Sequence, residues 1–361
     1  MLTTALTDYG WNDALQADFE PFAAQGLIPA RIVVQQRGGY RLITPDGEID
    51  ARATGALMKS AGDSERPTAG DWVAVEARPG ETTALVHHVL PRRTAFIRKA
   101  SGPRGGAQVV AANVDVAFLV ASLNADLNLR RLERYLATTY ESGATPVVVL
   151  TKADLTGDIE ARVEAVRAVA KDVPVLAISS KTGEGLEAVF AQLAPGRTAV
   201  LLGSSGAGKS TLLNALAGEE KMSTGLIREA DERGRHTTTH RELVRLPSGG
   251  LILDTPGMRE LGLWEADAGV AATFADIEVL AGECRFSDCA HEREPGCAVQ
   301  AALKAGELDE GRWRSFQKLQ AELAFERRRE DPRAAQDNKK LWASRHKIGK
   351  ARSKAKWSGL D

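Results

Sequence analysis

The chain has 361 residues, more than one hydrophobic core usually holds, so we expect about two or three domains. Its composition, 43% hydrophobic and 26% charged, excludes a fibre and a largely disordered chain. Asn113 and Asp115 interrupt the longest apolar stretch, so we expect no bilayer-spanning segment and no membrane partner. The first residues lack a basic-then-apolar leader, and three cysteines exclude a purely disulfide-stapled scaffold. We therefore expect a cytoplasmic protein.

The formal net charge of -1 conceals a basic tail, which we predict over residues 336–361. From Asn338 onward there are eight Lys or Arg residues and one acid, Asp361, so this stretch carries +7 and the rest about -8. Such a block is too charged to fold alone and is often an arm for nucleic acid. A solvated tail without a partner is an equally good interpretation of the tail by itself.

The first part of the chain predicts a small β-barrel over residues 28–92, preceded by an extension over 1–27 without sustained periodicity. Short β-type runs separated by Gly and Pro turn signals favour a closed barrel of the OB-fold type. The predicted strands are Arg31–Gln36, Tyr40–Thr44, Glu48–Arg52, Asp71–Ala77 and Ala84–Leu90. The stretch Pro91–Gly106 is interpreted as a basic linker.

The middle of the chain, residues 93–263, alternates buried-type strands with helical patterns, which predicts a mostly parallel sheet covered by helices. The predicted strands are Val116–Ala121, Pro146–Leu150, Val173–Ile178, Thr198–Leu202 and Leu251–Leu253, and the helices are Arg130–Glu141, Ile159–Ala170 and Leu186–Leu193. Residues 264–335 are predicted to form a helical domain, with Trp313, Phe316, Leu319 and Leu323 on one packed helix face.

The strongest motif is GSSGAGKST, which fits the P-loop pattern and lies between a predicted strand and a predicted helix. Its glycines let backbone N–H groups surround phosphates, Lys209 reaches the β- and γ-phosphates, and the Ser210 hydroxyl ligates Mg²⁺. The alternative is a glycine-rich turn that binds no phosphate. The binding candidates are Gly203, Ser204, Ser205, Gly206, Ala207, Gly208, Lys209, Ser210 and Thr211.

Two strand-end motifs, TKAD and SSK, predict that the base is guanine. A carboxylate at Asp154 accepts both the N1–H and the N2 amine of guanine, and adenine offers no such donor pair. The stem of Lys152 would cover the base, and a backbone N–H of the second motif would meet O6. For Asp154 alone, a helix cap is the alternative. The candidates are Thr151, Lys152, Ala153, Asp154, Ser179, Ser180 and Lys181.

A third strand end carries DTPG, in which Asp254 and Gly257 match the DxxG motif that holds Mg²⁺ through water and senses the γ-phosphate. The polar segment 223–242 ends in GRHTTTH and is suited to a switch loop whose threonine closes over Mg²⁺. We select Thr238 for this role, with Thr237 and Thr239 left open. By itself, DTPG is also compatible with an ordinary β-turn.

The order of these motifs indicates a circularly permuted GTPase domain. Most GTPases run P-loop, switch threonine, DxxG, [N/T]KxD and SAK, whereas here TKAD and SSK precede the P-loop. DxxG therefore leads directly into the helical region. We expect the nucleotide state to be coupled to that region.

All three cysteines lie with one histidine in a C-x4-C-x-H-x5-C pattern. Three thiolates and one imidazole close a tetrahedral Zn²⁺ shell, and a closed shell makes the zinc structural. Three unrelated buried thiols are the alternative. The predicted zinc ligands are Cys284, Cys289, His291 and Cys297.

Together, the permuted motifs, GRHTTTH, DTPGM, the module CRFSDCAHEREPGC and the N-terminal barrel resemble the RsgA (YjeQ) family over about residues 28–330. The resemblance implies a GTPase that acts late in 30S subunit maturation, is stimulated by the small subunit, and contacts rRNA through its barrel and zinc domain. It implies GTP/GDP, Mg²⁺ and one Zn²⁺ as ligands. Thr151 departs from the pattern, because many relatives have Asn there, and this exchange would weaken nucleotide binding without altering guanine selection.

Catalysis needs a group that orients the attacking water, and Met258, which follows DxxG, cannot do so. His236, beside the switch threonines, is the polar group we select, consistent with the family's pattern. A surface-loop histidine is the alternative. The predicted catalytic residues are His236, Lys209 and Thr238.

Two other functions remain open on sequence grounds. One is a nucleotide-gated RNA-binding module whose hydrolysis is incidental. The other is a P-loop ATPase, which Asp154 opposes. Trp342 and Trp357 lie among the charges of the tail, as suits rRNA binding. Nothing in the chain demands a dimer, and we expect a monomer.

Overall fold

The structure is a computed structural model that describes residues 4–60, 62, 64–78, 80–99, 107–124, 127–218, 241–255, 258 and 266–330. His236, Thr238, Gly257 and the basic tail lie outside the described residues, so the predictions for them stay predictions. Within the described ranges, no helix is both long and apolar enough to cross a membrane.

The described strands and helices follow each other in a β-rich, then α/β, then helical order. The strands are β1 Ile28–Gln36, β2 Gly39–Thr44, β3 Gly47–Ala53, β4 Trp72–Glu76, β5 Thr83–Val89, β6 Ala95–Lys99, β7 Ala107–Ala112, β8 Val116–Ser122, β9 Thr145–Thr151, β10 Val175–Ala177, β11 Thr198–Leu202, β12 Arg241–Arg245 and β13 Leu251–Asp254. The helices are α1 Thr4–Thr7, α2 Asp13–Ala23, α3 Gly55–Ser60, α4 Leu129–Ser142, α5 Ile159–Ala170, α6 Leu186–Ala191, α7 Lys209–Ala217, α8 Asp267–Thr273, α9 Ala275–Gly282, α10 Ala298–Ala305 and α11 Glu310–Glu330.

The first five strands form a closed barrel, as the sequence predicted. Their order is β1-β2-β3-β5-β4, and β4 closes the barrel by pairing with β1. Ile32, Leu42, Val73 and Val86 are fully buried in its interior. Closure leaves the small barrel without free edges except where a strand extends beyond its partner.

The N-terminal residues, for which the sequence showed no sustained periodicity, are folded against this barrel. The side chain of Asn12 caps α2 by accepting a hydrogen bond from the Leu15 N–H. Trp11, Leu15 and Phe19 are buried, and the ring of Trp11 packs edge-on against Trp72 at 4.9 Å. Within α2 only Leu15 and Phe19, four positions apart, share the buried face, and two residues are too few to mark a helix in the sequence.

The predicted α/β domain is confirmed as a sheet in the order β10-β9-β8-β11-β13-β12. Its first five strands are parallel, and β12 runs antiparallel to β13. The helices α4, α5, α6 and α7 lie between the strands in sequence, as parallel strand connections require. The strand β12 was not predicted from the sequence, and its first two residues overlap the end of the segment predicted as a switch loop.

One strand, β1, belongs to both the barrel and the α/β sheet. Its first half pairs with β4 at Ile28 to Arg31, and on its second half Val34 and Gln35 pair with β12. The barrel is thereby hydrogen-bonded through the main chain to the edge strand of the α/β sheet.

The prediction that Pro91–Gly106 is a linker is wrong for Ala95–Lys99. These residues form β6, which pairs antiparallel with β7 in a separate two-stranded sheet. The side chain of Phe96 is fully buried, and this apolar residue among basic neighbours anchors the hairpin in the core.

The C-terminal helices pack against α4. Gly269 of α8 lies so close to α4 that an added Cβ would be 2.0 Å from the Ala137 carbonyl oxygen. Buried Glu133 of α4 forms ion pairs with Arg312 of α11 at 3.0 Å and with Arg130 at 2.7 Å. The predicted packed face of α11 is confirmed, with Trp313, Leu319 and Leu323 buried and Phe316 packed beside them.

Candidate nucleotide site and metal centre

The predicted nucleotide motifs meet at one edge of the parallel sheet. TKAD follows β9, SSK follows β10, the P-loop follows β11 and Asp254 ends β13. Because these strands are parallel neighbours, their carboxyl ends lie side by side at the position where open α/β sheets bind ligands.

The P-loop has the geometry that its glycines permit. Gly206 and Gly208 have φ of +76° and +94°, a left-handed region that other residues seldom occupy. Gly203 approaches β8 so closely that a Cβ would lie 2.3 Å from the Val120 carbonyl oxygen. The loop leads into the N-terminus of α7, where unpaired backbone N–H groups attract anions. The Nζ of Lys209 donates to the carbonyls of Gly203 and Ser204 at 2.8 and 2.6 Å.

Thr151 and Lys152 tie the base-recognition motif to the P-loop. The buried hydroxyl of Thr151 donates to the Ala207 carbonyl at 2.6 Å, and Lys152 Nζ donates to the Gly206 carbonyl at 2.8 Å. Lys152 holds a left-handed φ of +62°, an uncommon conformation for a residue other than glycine. The sequence predicted that both residues contact the nucleotide, but nothing in TKAD marks the P-loop as their partner, so these contacts are visible only in the structure.

Asp154 lies in the short 3-10 helix Ala153–Leu155, and its carboxylate links the two base-recognition motifs. Its Oδ1 accepts a hydrogen bond from the Ser179 hydroxyl at 2.8 Å, and the same hydroxyl accepts from the Thr182 N–H at 3.2 Å. Ser179 is fully buried whereas Asp154 is exposed. One carboxylate oxygen is thus held inside the protein while the residue stays accessible to a ligand.

Three hydroxyls at this edge are buried and make no hydrogen bond within the described residues. They belong to Ser122 at the end of β8, Ser180 of SSK and Thr255 after β13. A buried hydroxyl without a partner costs free energy, which a protein tolerates most often where a ligand or ion completes the bonding.

The Met258 side chain is buried in the protein core. It is 3% exposed and packs into the main hydrophobic core. It therefore has no means of orienting a water molecule, as the sequence indicated. Asp254 is partly buried at the end of β13, opposite Glu242 of β12.

The four predicted zinc ligands are brought together in the structure. Their ligand atoms all lie within 4.8 Å of one another. The distance from His291 Nδ1 is 3.5 Å to Cys284 Sγ and 3.5 Å to Cys297 Sγ, and these two sulfurs are 3.9 Å apart. A tetrahedral Zn²⁺ with ordinary bond lengths places S and N about 3.6 Å apart and two sulfurs about 3.8 Å apart. The cluster fits zinc.

The surroundings of the cluster hold the histidine in place. The carbonyl of His291 accepts a hydrogen bond from the Gln300 side chain at 2.7 Å, and its ring packs edge-on against Trp313 at 5.9 Å. The Cys297 sulfur accepts from the Gln300 N–H at the start of α10. The cluster thus connects the loop after α9 to α10 and α11.

A sheet of this topology, with a P-loop after β11 and the base-recognition motifs earlier in the chain, defines a circularly permuted P-loop GTPase. The family model described as RsgA GTPase matches residues 89–264. A relative from Opitutus terrae is 48% identical over 97% of this chain and 98% of its own length. One from Streptomyces coelicolor is 49% identical over 99% and 97%. Both are named small ribosomal subunit biogenesis GTPase RsgA. The chain belongs to the RsgA GTPase family.

Solved structures agree with this fold. The crystal structure of YjeQ from Thermotoga maritima is 25% identical, covers 82% of this chain and 98% of its own, and superposes with a TM-score of 0.61. The crystal structure of YloQ, described as a circularly permuted GTPase, is similar in fold, with a TM-score of 0.59 and coverage of 82% and 95%.

Proposed function

We propose that this GTPase binds the small ribosomal subunit and assists its late maturation, hydrolysing GTP to GDP and phosphate with stimulation by the subunit. The supporting observation is the extent of the similarity. The relatives named for small-subunit biogenesis match 97% or more of the chain, so the likeness includes the barrel and the Cys₃His cluster as well as the GTPase core. The alternative is an RNA-binding module, gated by nucleotide, whose hydrolysis is incidental.

In this proposal guanine is selected by Asp154, whose carboxylate accepts the N1–H and the N2 amine. The stem of Lys152 covers the base, and a backbone N–H within Ser179 to Lys181 meets O6. The hydrogen bond that the Ser179 hydroxyl donates to Asp154 Oδ1 fixes the orientation of the carboxylate. Thr151 contributes by holding the P-loop rather than by touching the base.

The phosphates are bound by backbone N–H groups from Gly203 to Thr211 and by the Nζ of Lys209. The Ser210 hydroxyl, the Thr238 hydroxyl and, through water, Asp254 would hold Mg²⁺, with Gly257 beside the γ-phosphate. Bound Mg²⁺ neutralises charge on the β- and γ-phosphates. We assign His236 the task of orienting the attacking water, since Met258 is buried in the core.

The zinc cluster is proposed to hold one structural ion through Cys284, Cys289, His291 and Cys297. We further propose that the protein contacts rRNA and is a cytoplasmic monomer. Its proposed parts are an N-terminal extension, the barrel, the GTPase domain, the zinc-binding helical domain and the basic tail, over residues 1–27, 28–92, 93–263, 264–335 and 336–361.

The test of the proposed function is GTP hydrolysis by the purified protein with and without isolated small ribosomal subunits. We expect large stimulation by the small subunit and none by the large one. Tight GTP-dependent binding to the subunit with near-zero turnover would favour the nucleotide-gated module instead. No binding and no stimulation would reject both.

The assignment of Asp154 has a separate test in the Asp154→Asn variant. Xanthine carries a carbonyl where guanine has the N2 amine, so an amide donor at this position should exchange preference from GTP to xanthosine triphosphate. Competition binding measures the exchange. Asp158→Asn is the matched control, because Asp158 is exposed in the same region and makes no side-chain cap bond. Unchanged GTP preference in Asp154→Asn would disprove the assignment.

The assignment of His236 is tested by His236→Ala, with His240→Ala as control. We expect the first variant to bind GTP normally but to lose subunit-stimulated turnover, and the second to retain it. Parent-rate turnover by His236→Ala would show that another group orients the water.

A further inference from the structure

A cavity of about 570 Å³ lies where the barrel, the β6–β7 hairpin and β12 meet. We name it the junction cavity. Tyr40, Arg52 and Arg66 of the barrel side, Gln108 of β7 and Arg241 of β12 are among the residues that line it. Its volume is within the range of small-molecule sites, and among its described lining residues none belongs to the P-loop, TKAD or SSK.

The described lining of the junction cavity is cationic: it includes three arginines and no Asp or Glu. Asp71, whose charge acts on Tyr40, is itself held by Arg92 at 2.7 Å and by the Thr68 N–H at 2.8 Å. The carboxylate of Asp71 is therefore already hydrogen-bonded by other groups.

Arg241 is the unusual member of the lining. It is 4% exposed, yet its guanidinium donates to neutral oxygens, those of the Gln35 amide and Thr68 hydroxyl at 2.9 Å and the Val109 carbonyl at 3.3 Å. Burial and the charge of Arg98 lower the pKa of Arg241 to about 10. Within the described ranges no acid pairs with this buried cation, which makes its burial costly, and an anion in the adjacent cavity would offset that cost.

We infer that the junction cavity is an anion site that takes the phosphate of a nucleotide-sized ligand, held by the guanidinium groups of Arg52, Arg66 and Arg241. Guanidinium groups match phosphate oxygens in pairs, and the half-buried ring of Tyr40 offers a surface on which a base can stack. The phosphate could belong to a free nucleotide or to one unit of an RNA strand.

The position of Arg241 gives this site a route to the GTPase core. Arg241 is the first residue of β12, directly after residue 240, and it pairs with Gln35 of β1. A ligand in the junction cavity would therefore contact the strand that connects the predicted switch segment to Asp254. This binding inference does not depend on the proposed hydrolysis, because it is tested without turnover.

Titration calorimetry on the full chain, saturated with GDP and Mg²⁺ to fill the nucleotide site, tests the inference. The two probes are uridine 5′-monophosphate and a pentauridylate strand. We expect binding that Arg52→Glu and Arg241→Lys each weaken by about tenfold, because a charge-assisted bond is lost or loses its paired geometry. The exposed Arg52 can be changed without disturbing the core.

The matched control is Arg41→Glu, an exposed arginine of the same barrel outside the cavity. Binding of the mononucleotide would identify a free nucleotide as the source, and binding of the pentamer alone would identify an RNA strand. Either result supports the site if Arg52→Glu weakens binding and Arg41→Glu does not. No binding of either probe, or equal losses in both variants, would overturn it. Thermal melting establishes whether each variant is folded. If Arg241→Lys does not fold, the comparison of Arg52→Glu with Arg41→Glu decides the test.

Discussion

The barrel and the C-terminal helices are joined to the α/β domain by different kinds of contact. The barrel is joined through the main chain, since β1 pairs with β12 and continues the sheet. The C-terminal helices are joined through side chains, chiefly the ion pair of buried Glu133 with Arg312 and the two bonds of Arg134 to Glu322 at 2.6 and 2.7 Å. Strand pairing uses groups that every residue except proline carries, whereas the ion pairs depend on particular side chains.

The two junctions also contact different strands of the nucleotide site. β12 lies between the predicted switch segment and Asp254, so the barrel is bonded to a strand of the site itself. The helices rest on α4, whose preceding strand β8 ends beside the P-loop. The coupling of the nucleotide state to the helical region stays a prediction. The barrel is hydrogen-bonded to β12, which pairs with the strand that ends at Asp254.

The largest effect should come from Glu133→Ala, which breaks the helical junction. Glu133 is fully buried and accepts from both Arg312 and Arg130, so its removal loses two charge-assisted hydrogen bonds, each worth about 1.5–3 kcal/mol, and leaves buried Arg312 with Asp276 as its acidic partner. We expect a loss of about 3–5 kcal/mol in the free energy of unfolding, measured with denaturant. The control is Glu310→Ala, whose ion pair with Arg314 is 72–75% exposed and should contribute at most about 1 kcal/mol. Equal losses of unfolding free energy in the two variants would refute the idea that the helical junction depends on the Glu133 carboxylate.

A smaller effect is expected from Arg31→Ala, which tests the barrel junction. The Arg31 side chain is buried and donates to the Tyr9 carbonyl, to the Asn113 carbonyl at 3.2 Å and to the Thr198 hydroxyl at 2.9 Å, so it joins three parts of the chain. Leaving these oxygens unsatisfied should cost about 3 kcal/mol in unfolding free energy. Arg37→Ala, on the exposed turn after β1, is the control. A loss under about 1 kcal/mol would mean that strand pairing alone maintains this junction.

Gly269→Ala should have a still smaller effect, confined to the helical junction. Its added methyl group would meet the backbone of α4 and force α8 outward, at a cost of about 2 kcal/mol. At Gly282 of α9 a Cβ would meet nothing within 4 Å, so Gly282→Ala is the matched control. Hydrogen exchange of α8 and α11 should rise in the first variant only. Faster exchange in the barrel instead would contradict the assignment of this contact.

The smallest effect is a difference in acid sensitivity between the two junctions. Burial raises the pKa of Asp276, but the bonds from Arg312 and the charge of Lys171 outweigh burial and hold that pKa below 3.8. Its stabilising contribution is therefore present above 3.8 and lost as the pH falls through the lower folded value. Burial raises the pKa of Asp71 beside the barrel above 3.8 despite its bond from Arg92. Protonation of this carboxylate therefore removes the cost of burying its charge, and the contribution of Asp71 to folding stability increases as the pH falls through the raised folded value.

Fluorine resonances of 5-fluorotryptophan at Trp313 and Trp72 report on the two junctions separately. Because the pKa of Asp71 lies above 3.8 and that of Asp276 below it, we expect the Trp72 resonance to shift at a higher pH than the Trp313 resonance as the pH falls from about 6 to about 3. The reverse order would show that the acid response is set elsewhere.

The fold was predictable where the chain obeys simple patterning. The barrel strands and the parallel strands each read as apolar runs between turn signals, and the P-loop, TKAD and SSK follow directly from strand ends. Strand β12 was missed because Arg241 occupies a buried position in it, and β6 was missed because one buried residue, Phe96, stands among basic neighbours.

The site was predictable as a set of motifs but not as a set of contacts. Spacing in the sequence placed Asp154 and Ser179 at adjacent strand ends, yet the bond between them and the Thr151 contact with Ala207 depend on how loops pack. The same holds for Glu133, whose burial depends on its contact with Arg312, a residue 179 positions away in the sequence.

The pairing of β1 with β12 has a consequence for how the chain is made. The barrel strands all lie within residues 28–89, so they can close as soon as that stretch leaves the ribosome. Gln35 is separated from its partner Arg241 by 206 positions, and through that interval the second half of β1 presents an unpaired edge. Exposed strand edges invite pairing with other chains. Synthesis of the α/β domain is therefore the period in which this protein is most open to misassembly, and the arrival of β12 ends it.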